Sequence, residues 1–129
     1  MPVTKLLIAN RGEIAIRIAR AAADIGLPAV AVHSVDDAQS LHIRLADEVQ
    51  ALPGRGPSAY LDAKAVIAAA HASGCDAIHP GYGFLAERAD FARACADAGL
   101  TVVGPEIVHL EAFGDKLRAR DAARAAEVP

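Results

Sequence analysis

The amino-acid sequence predicts an α/β fold: a doubly wound, mostly parallel sheet of five strands with helices on both faces. Short apolar runs of four or five residues alternate with longer segments whose apolar residues recur at the helical period. Strands of a parallel sheet are buried on both faces and have this continuous apolar character, while the helices between them form right-handed crossovers. With 129 residues, the chain has the length of one domain.

The first strand and helix show the alternation most clearly. A strand is predicted over residues 5–9 and a helix over residues 13–25, which Gly26 and Pro28 end in the order typical of a helix C-terminus. The same signals predict further strands over residues 29–32, 48–52, 76–79 and 100–103, and further helices near 40–46 and over 62–73, 86–98, 106–113 and 115–127. The elements therefore alternate in the manner of a Rossmann-like layer.

Composition argues against several classes of protein. Hydrophobic residues make up 53% of the chain and aromatic residues only 4%, because 31 residues are alanine, which predicts helices packed closely through small side chains. A net charge of −3 gives no general attraction to nucleic acid or anionic lipid, and the absence of an apolar run of 18 residues argues against a membrane span. Cys75 and Cys95 lack the spacing of a metal or redox pair, so no metal site and a cytoplasmic location are predicted.

Three polar clusters follow predicted strands, at residues 10–13, 33–37 and 79–84. In an open parallel sheet, ligands bind beyond the carboxyl ends of the strands, so these clusters are the candidate site. A dinucleotide fold would have the GxGxxG motif after the first strand, but only Gly12 is present there. The strand also ends in Asn10 and Arg11 instead of acidic residues, which argues against a phosphoacceptor receiver domain.

The third cluster contains the most specific signal, the Gly81-Tyr82-Gly83 loop. Two glycines allow backbone conformations and close approaches that side chains forbid, and they would place Tyr82 on a support that faces a ligand. The alternative is an ordinary turn between a strand and a helix. His79 is either a proton carrier or, more commonly for a histidine at a strand end before proline, a structural residue.

Two further features carry charge. Lys116 begins a predicted helix after Gly114-Asp115, where an ammonium group and free backbone amides together can bind phosphate; a solvated lysine is the alternative. Spacings of four, three and four residues place a charged set on one face of the first helix: Glu13, Arg17, Arg20 and Asp24. This face is either solvated, with a favourable Glu13–Arg17 pair, or in contact with another subunit.

Six motifs occur in an order that covers essentially the whole chain: LIANRGEIAIR at 7–17, AVAVHS at 29–34, LADE at 45–48, SAYL at 58–61, HPGYGFL at 79–85 and GDK at 114–116. In this order they resemble the N-terminal (pre-ATP-grasp) domain of biotin carboxylases, as in the alpha chains of acetyl- and propionyl-CoA carboxylases. The resemblance departs at Ala86 and Arg88, where the family usually has serine and asparagine. This departure removes a hydroxyl cap and adds a cation beside the loop.

The resemblance implies an enzyme that uses MgATP to activate bicarbonate and then carboxylates biotin on a carrier protein. It implies that Lys116 contacts ATP, that the face with Arg17, Arg20 and Asp24 helps to form a homodimer, and that a loop faces biotin and bicarbonate through His79, Gly81, Tyr82, Gly83 and Phe84. No catalytic residue is expected within the chain. Residues 1–113 would form the domain, and residues 114–129 would begin the linker to an ATP-grasp domain.

The resemblance also implies partners: the ATP-grasp and C-terminal domains, a biotin carboxyl carrier protein and a carboxyltransferase. The chain alone is expected to be inactive and to hold neither ATP nor biotin tightly. An alternative from another class is a free-standing interaction or regulatory domain that docks on a carboxylase through the charged face of its first helix. Other ATP-grasp ligases would not be expected to carry both the NRGE and the HPGYGF motifs.

Overall fold

The five strands of the computed structural model form one parallel sheet in the order β3-β2-β1-β4-β5. The structure describes residues 3–103. Its strands are β1 Leu6–Ile8, β2 Ala29–His33, β3 Glu48–Ala51, β4 Ala77–His79 and β5 Thr101–Val102. The predicted fold class is confirmed, and the sheet is parallel throughout. Lys116 and the helices predicted over 106–113 and 115–127 lie outside the described residues.

Helices connect the strands as the crossovers of a parallel sheet require. They are α1 Gly12–Asp24, α2 Leu41–Arg44, α3 Ala63–Ala72 and α4 Ala89–Asp97, and 3-10 turns occupy Val35–Asp37, Pro57–Leu61 and Phe84–Glu87. Over residues 3–103, no helix has the length and apolar character needed to cross a bilayer.

Strand β1 lies at the centre of the sheet and fixes where a ligand can bind. Its last residue, Ile8, is in register with Ala31 of β2 on one side and with His79 of β4 on the other. The chain moves outward from β1 to β2 and β3, and then returns to β4 and moves outward to β5 on the opposite side. The β1–β4 junction is therefore the topological switch point, where loops leave in opposite directions and open a crevice.

The two faces of the sheet have separate cores because successive strand residues point to opposite faces. The α3–α4 core contains large side chains, including Tyr60, Phe91 and Leu7, which are all at most 1% exposed. The α1 core is smaller, and five of its eight buried residues are alanine: Ala15, Ala19, Ala22, Ala29 and Ala77. Close helix packing through small side chains is thus realised on the α1 face.

Helix α4 begins three residues later than the sequence predicts. A 3-10 turn follows Gly83, and Phe84 at its start has a φ of 48°. Arg88 then occupies the N-cap of α4 in an extended conformation without a side-chain capping hydrogen bond. A continuous helix from Ala86 is impossible across this extended residue. The expected loss of a helix cap therefore falls at position 88, where Arg88 is the N-cap, and not at Ala86.

Candidate functional site

The three polar clusters predicted from the sequence meet at the carboxyl end of β1. Asn10 and Arg11 leave this strand end together, but their side chains reach opposite neighbours. Asn10 bonds to the loop that follows β4, whereas Arg11 bonds to the 3-10 turn that follows β2. Two consecutive residues thus connect the central strand to the loops on both sides of the switch point.

The Asn10 side chain holds the loop after β4 through its backbone. Its Nδ2 donates to the carbonyl oxygens of Pro80 at 2.7 Å and Tyr82 at 2.9 Å, and its Oδ1 accepts from the backbone amide of Arg11 at 2.7 Å. The side chain is 1% exposed, and both polar atoms have partners. A buried amide with complete hydrogen bonding is rigid, so the loop is fixed at two points.

Gly81 is required by this arrangement. Its φ is +69°, and a Cβ there would lie 2.9 Å from both Asn10 Nδ2 and Ile14 Cγ1. Its backbone amide donates to His79 Nδ1 at 3.1 Å. Burial lowers the pKa of His79, and the accepting Nδ1 leaves the proton of the neutral ring on Nε2. His79 therefore has a structural contact within the loop.

The remaining loop residues differ in exposure. Tyr82 is 64% exposed, whereas Phe84 is half-buried and packs against the Tyr60 ring with centroids 5.7 Å apart. Gly83 has a φ of +67°, but a Cβ there would meet no atom within 4 Å. The loop thus presents one aromatic ring to solvent and anchors the other.

On the other side of β1, three side chains form an ionic network that the sequence reasoning missed. Arg11 binds the Asp37 carboxylate with two nitrogens, Nη2 to Oδ1 at 2.9 Å and Nε to Oδ2 at 2.8 Å. The Tyr60 hydroxyl donates to Asp37 Oδ2 at 2.7 Å and accepts from the Ser34 amide at 3.1 Å. Tyr60 lies 23 residues from Asp37, and no local pattern signals a contact at that separation.

Burial and pairing act against each other in this network. Burial by itself raises the pKa of Asp37, but the hydrogen bond from Tyr60 and the ion pair with Arg11 outweigh it, so the carboxyl pKa is below its usual value. Burial, with the bond to Asp37, raises the pKa of Tyr60 to about 12. At neutral pH the carboxylate is therefore ionised and the phenol is a donor.

The predicted charged face of α1 is exposed, and it borders an apolar groove. Arg17, Arg20 and Asp24 are all exposed, and Glu13 forms no ion pair with Arg17. A groove of about 660 Å³ runs between α1 and the sheet, and its lining includes Arg17, Ile25, His79, Tyr82 and Val103. The candidate loop and the charged face therefore share one surface.

The described residues suggest no centre for metal or thiol chemistry. Within residues 3–103, His, Cys, Asp and Glu form no group of three or more arranged for a metal ion. Cys75 and Cys95 are buried and unpaired, and burial raises the pKa of Cys95 to about 11. A thiol with a raised pKa is protonated and unreactive at neutral pH.

A family model described as the N-terminal domain of biotin carboxylase matches residues 2–110. The chain belongs to this family. It is 52% identical over 128 residues to the biotin-dependent acyl-coenzyme A carboxylase alpha3 subunit of Mycobacterium leprae, and 51% identical over 126 residues to the biotin carboxylase of Pseudomonas aeruginosa. The match covers 98% and 97% of this chain but only 21% and 28% of those two proteins. The family resemblance seen in the sequence motifs is confirmed.

Solved structures agree with this assignment. The biotin carboxylase domain of a single-chain bacterial carboxylase superposes with a TM-score of 0.93 at 56% identity, over 97% of this chain and 29% of that one. The complete pyruvate carboxylase of Rhizobium etli gives a TM-score of 0.92 at 42% identity, over 100% of this chain and 13% of that one. The biotin carboxylase N-terminal domain thus occurs within much longer proteins.

Proposed function

We propose that this domain supplies one wall of the active site of a carboxylase that uses MgATP and bicarbonate to carboxylate biotin on a carrier protein. The observation that carries the proposal is the loop of residues 79–84, which Asn10 fixes at the switch point of the sheet. In a biotin carboxylase N-terminal domain, a rigid loop with an exposed tyrosine suits the planar ureido group of biotin. The loop on the biotin side consists of His79, Gly81, Tyr82, Gly83 and Phe84; within it Tyr82 faces the ligand and Phe84 anchors the loop in the core.

The chemistry of the loop suits such a ligand. A tyrosine ring provides a broad apolar surface with a polar hydroxyl at its tip. Tyr82 lies between two glycines in the sequence. The open space around Gly83 allows a ligand to approach the backbone. Biotin, when bound, supplies the nitrogen that accepts the carboxyl group, and the domain supplies a surface that orients it.

The rest of the site belongs to other parts of the carboxylase. These two relatives are more than three times the length of this chain, so we expect an ATP-grasp domain and a C-terminal domain to complete the site. Residues 1–113 form the domain and residues 114–129 begin the linker in this proposal, with Lys116 as an ATP contact. The 129-residue chain alone is expected to show no bicarbonate-dependent ATP cleavage with free biotin, and turnover by it would overturn the proposal.

A hybrid enzyme tests the role of the loop. Residues 1–103 would replace the matching segment of the Pseudomonas aeruginosa biotin carboxylase, which is 51% identical to the chain. In the hybrid, Tyr82→Ala should raise the apparent KM for biotin more than that for ATP, and Tyr82→Phe should change little because it keeps the ring. Equal effects on both substrates, or none, would remove Tyr82 from the biotin side.

We further propose that the charged face of α1 helps to form a homodimer of the complete carboxylase. Arg17, Arg20 and Asp24 are exposed beside Ile25, which is 77% exposed, and apolar surface next to charge is typical of protein interfaces. Sedimentation of the hybrid should show a dimer that Arg20→Glu weakens. Arg55→Glu, in the loop after β3, is the matched control because it makes the same charge change away from α1.

We also propose that the complete protein is cytoplasmic and is an acyl-CoA carboxylase and not a pyruvate carboxylase. In the proposal a separate carboxyltransferase selects the final acceptor, so identifying the proteins that co-purify with the enzyme tests which acceptor is carboxylated.

The alternative function is a regulatory domain that docks on a carboxylase, and the open groove beside α1 favours it. Its test is binding of the isolated chain to an intact biotin carboxylase, together with the coding sequence that follows Pro129.

A further inference from the structure

Tyr60 is among the largest fully buried side chains of the described residues, and it joins the ionic network to the candidate loop. Its hydroxyl lies between the Asp37 carboxylate and the Ser34 amide. Its ring has Arg11 on one side, with the guanidinium carbon 5.7 Å from the centroid, and Phe84 as a tilted neighbour, also at 5.7 Å. Both ends of this side chain are therefore constrained.

Phe84 is the residue whose backbone needs such support. Its φ of 48° makes it the only residue other than glycine with a positive φ in the described part of the chain. A bulky residue in the left-handed region is uncommon and persists where its surroundings determine its position. The Phe84 side chain packs against the α3–α4 core, and Tyr60 is its aromatic partner there.

We propose that Tyr60 is a positioning residue, which holds Phe84 and with it the C-terminal end of the ligand-facing loop. The two residues that follow β1, Asn10 and Arg11, would then fix the two ends of the loop. Asn10 binds its start directly, and Arg11 acts on its end through Asp37 and Tyr60. This inference rests on the proposed function for the effect on biotin, but the effect on the loop is independent of it.

The two parts of the Tyr60 side chain have separable roles. Tyr60→Phe keeps the ring against Phe84 but removes the hydroxyl from Asp37 and from the Ser34 amide. Tyr60→Leu also removes the ring, so that Phe84 loses its aromatic partner. The leucine variant should therefore loosen the loop more than the phenylalanine variant, although both remove the same hydrogen bonds.

Hydrogen exchange in the full 129-residue chain tests the effect on the loop. The Ala86 amide donates to the Gly83 carbonyl at 2.9 Å and reports the end of the loop, whereas the Cys75 amide donates to Ala70 at 2.9 Å and reports the end of α3. In Tyr60→Leu we expect exchange at Ala86 to rise at least tenfold and exchange at Cys75 to rise less than threefold. Tyr60→Phe should raise exchange at Ala86 by about threefold.

A matched control separates positioning from general loss of stability. Phe91→Leu removes an equally buried ring from the α3–α4 core, and it should change exchange at Ala86 and Cys75 by similar factors. If Tyr60→Leu gave this same uniform pattern, or left Ala86 unchanged, the positioning role would be overturned.

The hybrid carboxylase then connects the loop to the ligand. Tyr60→Leu should raise the KM for biotin about tenfold and that for ATP less than twofold, with Tyr60→Phe between the leucine variant and the wild type. Local loosening together with this KM pattern supports the positioning role and the proposed function. Local loosening with an unchanged KM for biotin supports the positioning role and overturns the assignment of the loop to biotin.

Discussion

The two faces of the sheet are built differently, and the difference is informative about the site. The α3–α4 face is closed by large buried side chains such as Tyr60 and Phe91. The α1 face is packed mainly with alanine and opens into an apolar groove. One face therefore holds the fold together, while the other presents surface that further protein can cover.

The loop of residues 79–84 lies where these two faces meet. Phe84 packs into the α3–α4 core, whereas His79 and Tyr82 line the groove on the α1 face. The loop is thus anchored in the α3–α4 face, called the rigid face below, and exposed on the α1 face, called the open face. A binding loop benefits from this position, because rigid support preserves its geometry while the exposed side remains free for a ligand.

The largest expected effect is on the α3–α4 face. Phe91→Ala removes a ring that is 1% exposed, so it should lower the free energy of unfolding by about 3–5 kcal/mol. Ile14→Ala, beside the groove, should cost only about 1 kcal/mol because this side chain is only partly buried. Urea unfolding of both variants measures the difference, and equal losses would contradict the contrast between the faces.

The next effect is at the loop itself, where two neighbouring glycines differ. Gly81→Ala combines a left-handed φ with collisions against Asn10 and Ile14, and it should cost about 2–3 kcal/mol. Gly83→Ala has a similar φ but open space, so backbone strain alone should cost about 1–2 kcal/mol. The two variants are compared by thermal unfolding. A larger loss at Gly83 would show that the contact of Gly81 with α1 is unimportant.

The architecture was predictable because its signals are local. Apolar runs and helical periodicity located all five strands and four helices within residues 3–103, with boundaries that differ by at most two residues except at the start of α4. The exception, the start of α4, depends on the left-handed conformation of Phe84, which tertiary contacts with Tyr60 support. A phenylalanine carries no sequence signal for that conformation.

The polar clusters were predictable for the same reason, but the bonds between them were not. That residues 10–13, 33–37 and 79–84 follow strands is visible in the sequence. That Asn10 binds the third cluster, and Arg11 the second, depends on the strand order and on the direction of each side chain. The contact of Tyr60 with Asp37 could not be predicted, because Tyr60 lies in the 3-10 turn Pro57–Leu61, outside all three clusters.

A smaller effect, and a gain, is expected at the start of α4 on the rigid face. Arg88 occupies the N-cap without a side-chain capping bond, whereas asparagine is a favoured N-cap residue. Arg88→Asn should raise the free energy of unfolding by about 1 kcal/mol. Arg88→Ala is the matched control, because it removes the same cation but supplies no cap. Equal stabilities of the two variants would show that capping is not what limits α4.

The smallest effect on stability is expected on the open face, at Ile25. This side chain is 77% exposed just beyond α1, so Ile25→Ser should change the free energy of unfolding of the chain by no more than about 0.5 kcal/mol. Val49→Ser is its control, because Val49 is also exposed but lies on the edge strand β3. In the hybrid carboxylase, however, Ile25→Ser should weaken the dimer measured by sedimentation, and Val49→Ser should not. If Ile25→Ser destabilised the isolated chain as much as Ile14→Ala, the α1 face would be part of the rigid fold and not a surface reserved for assembly.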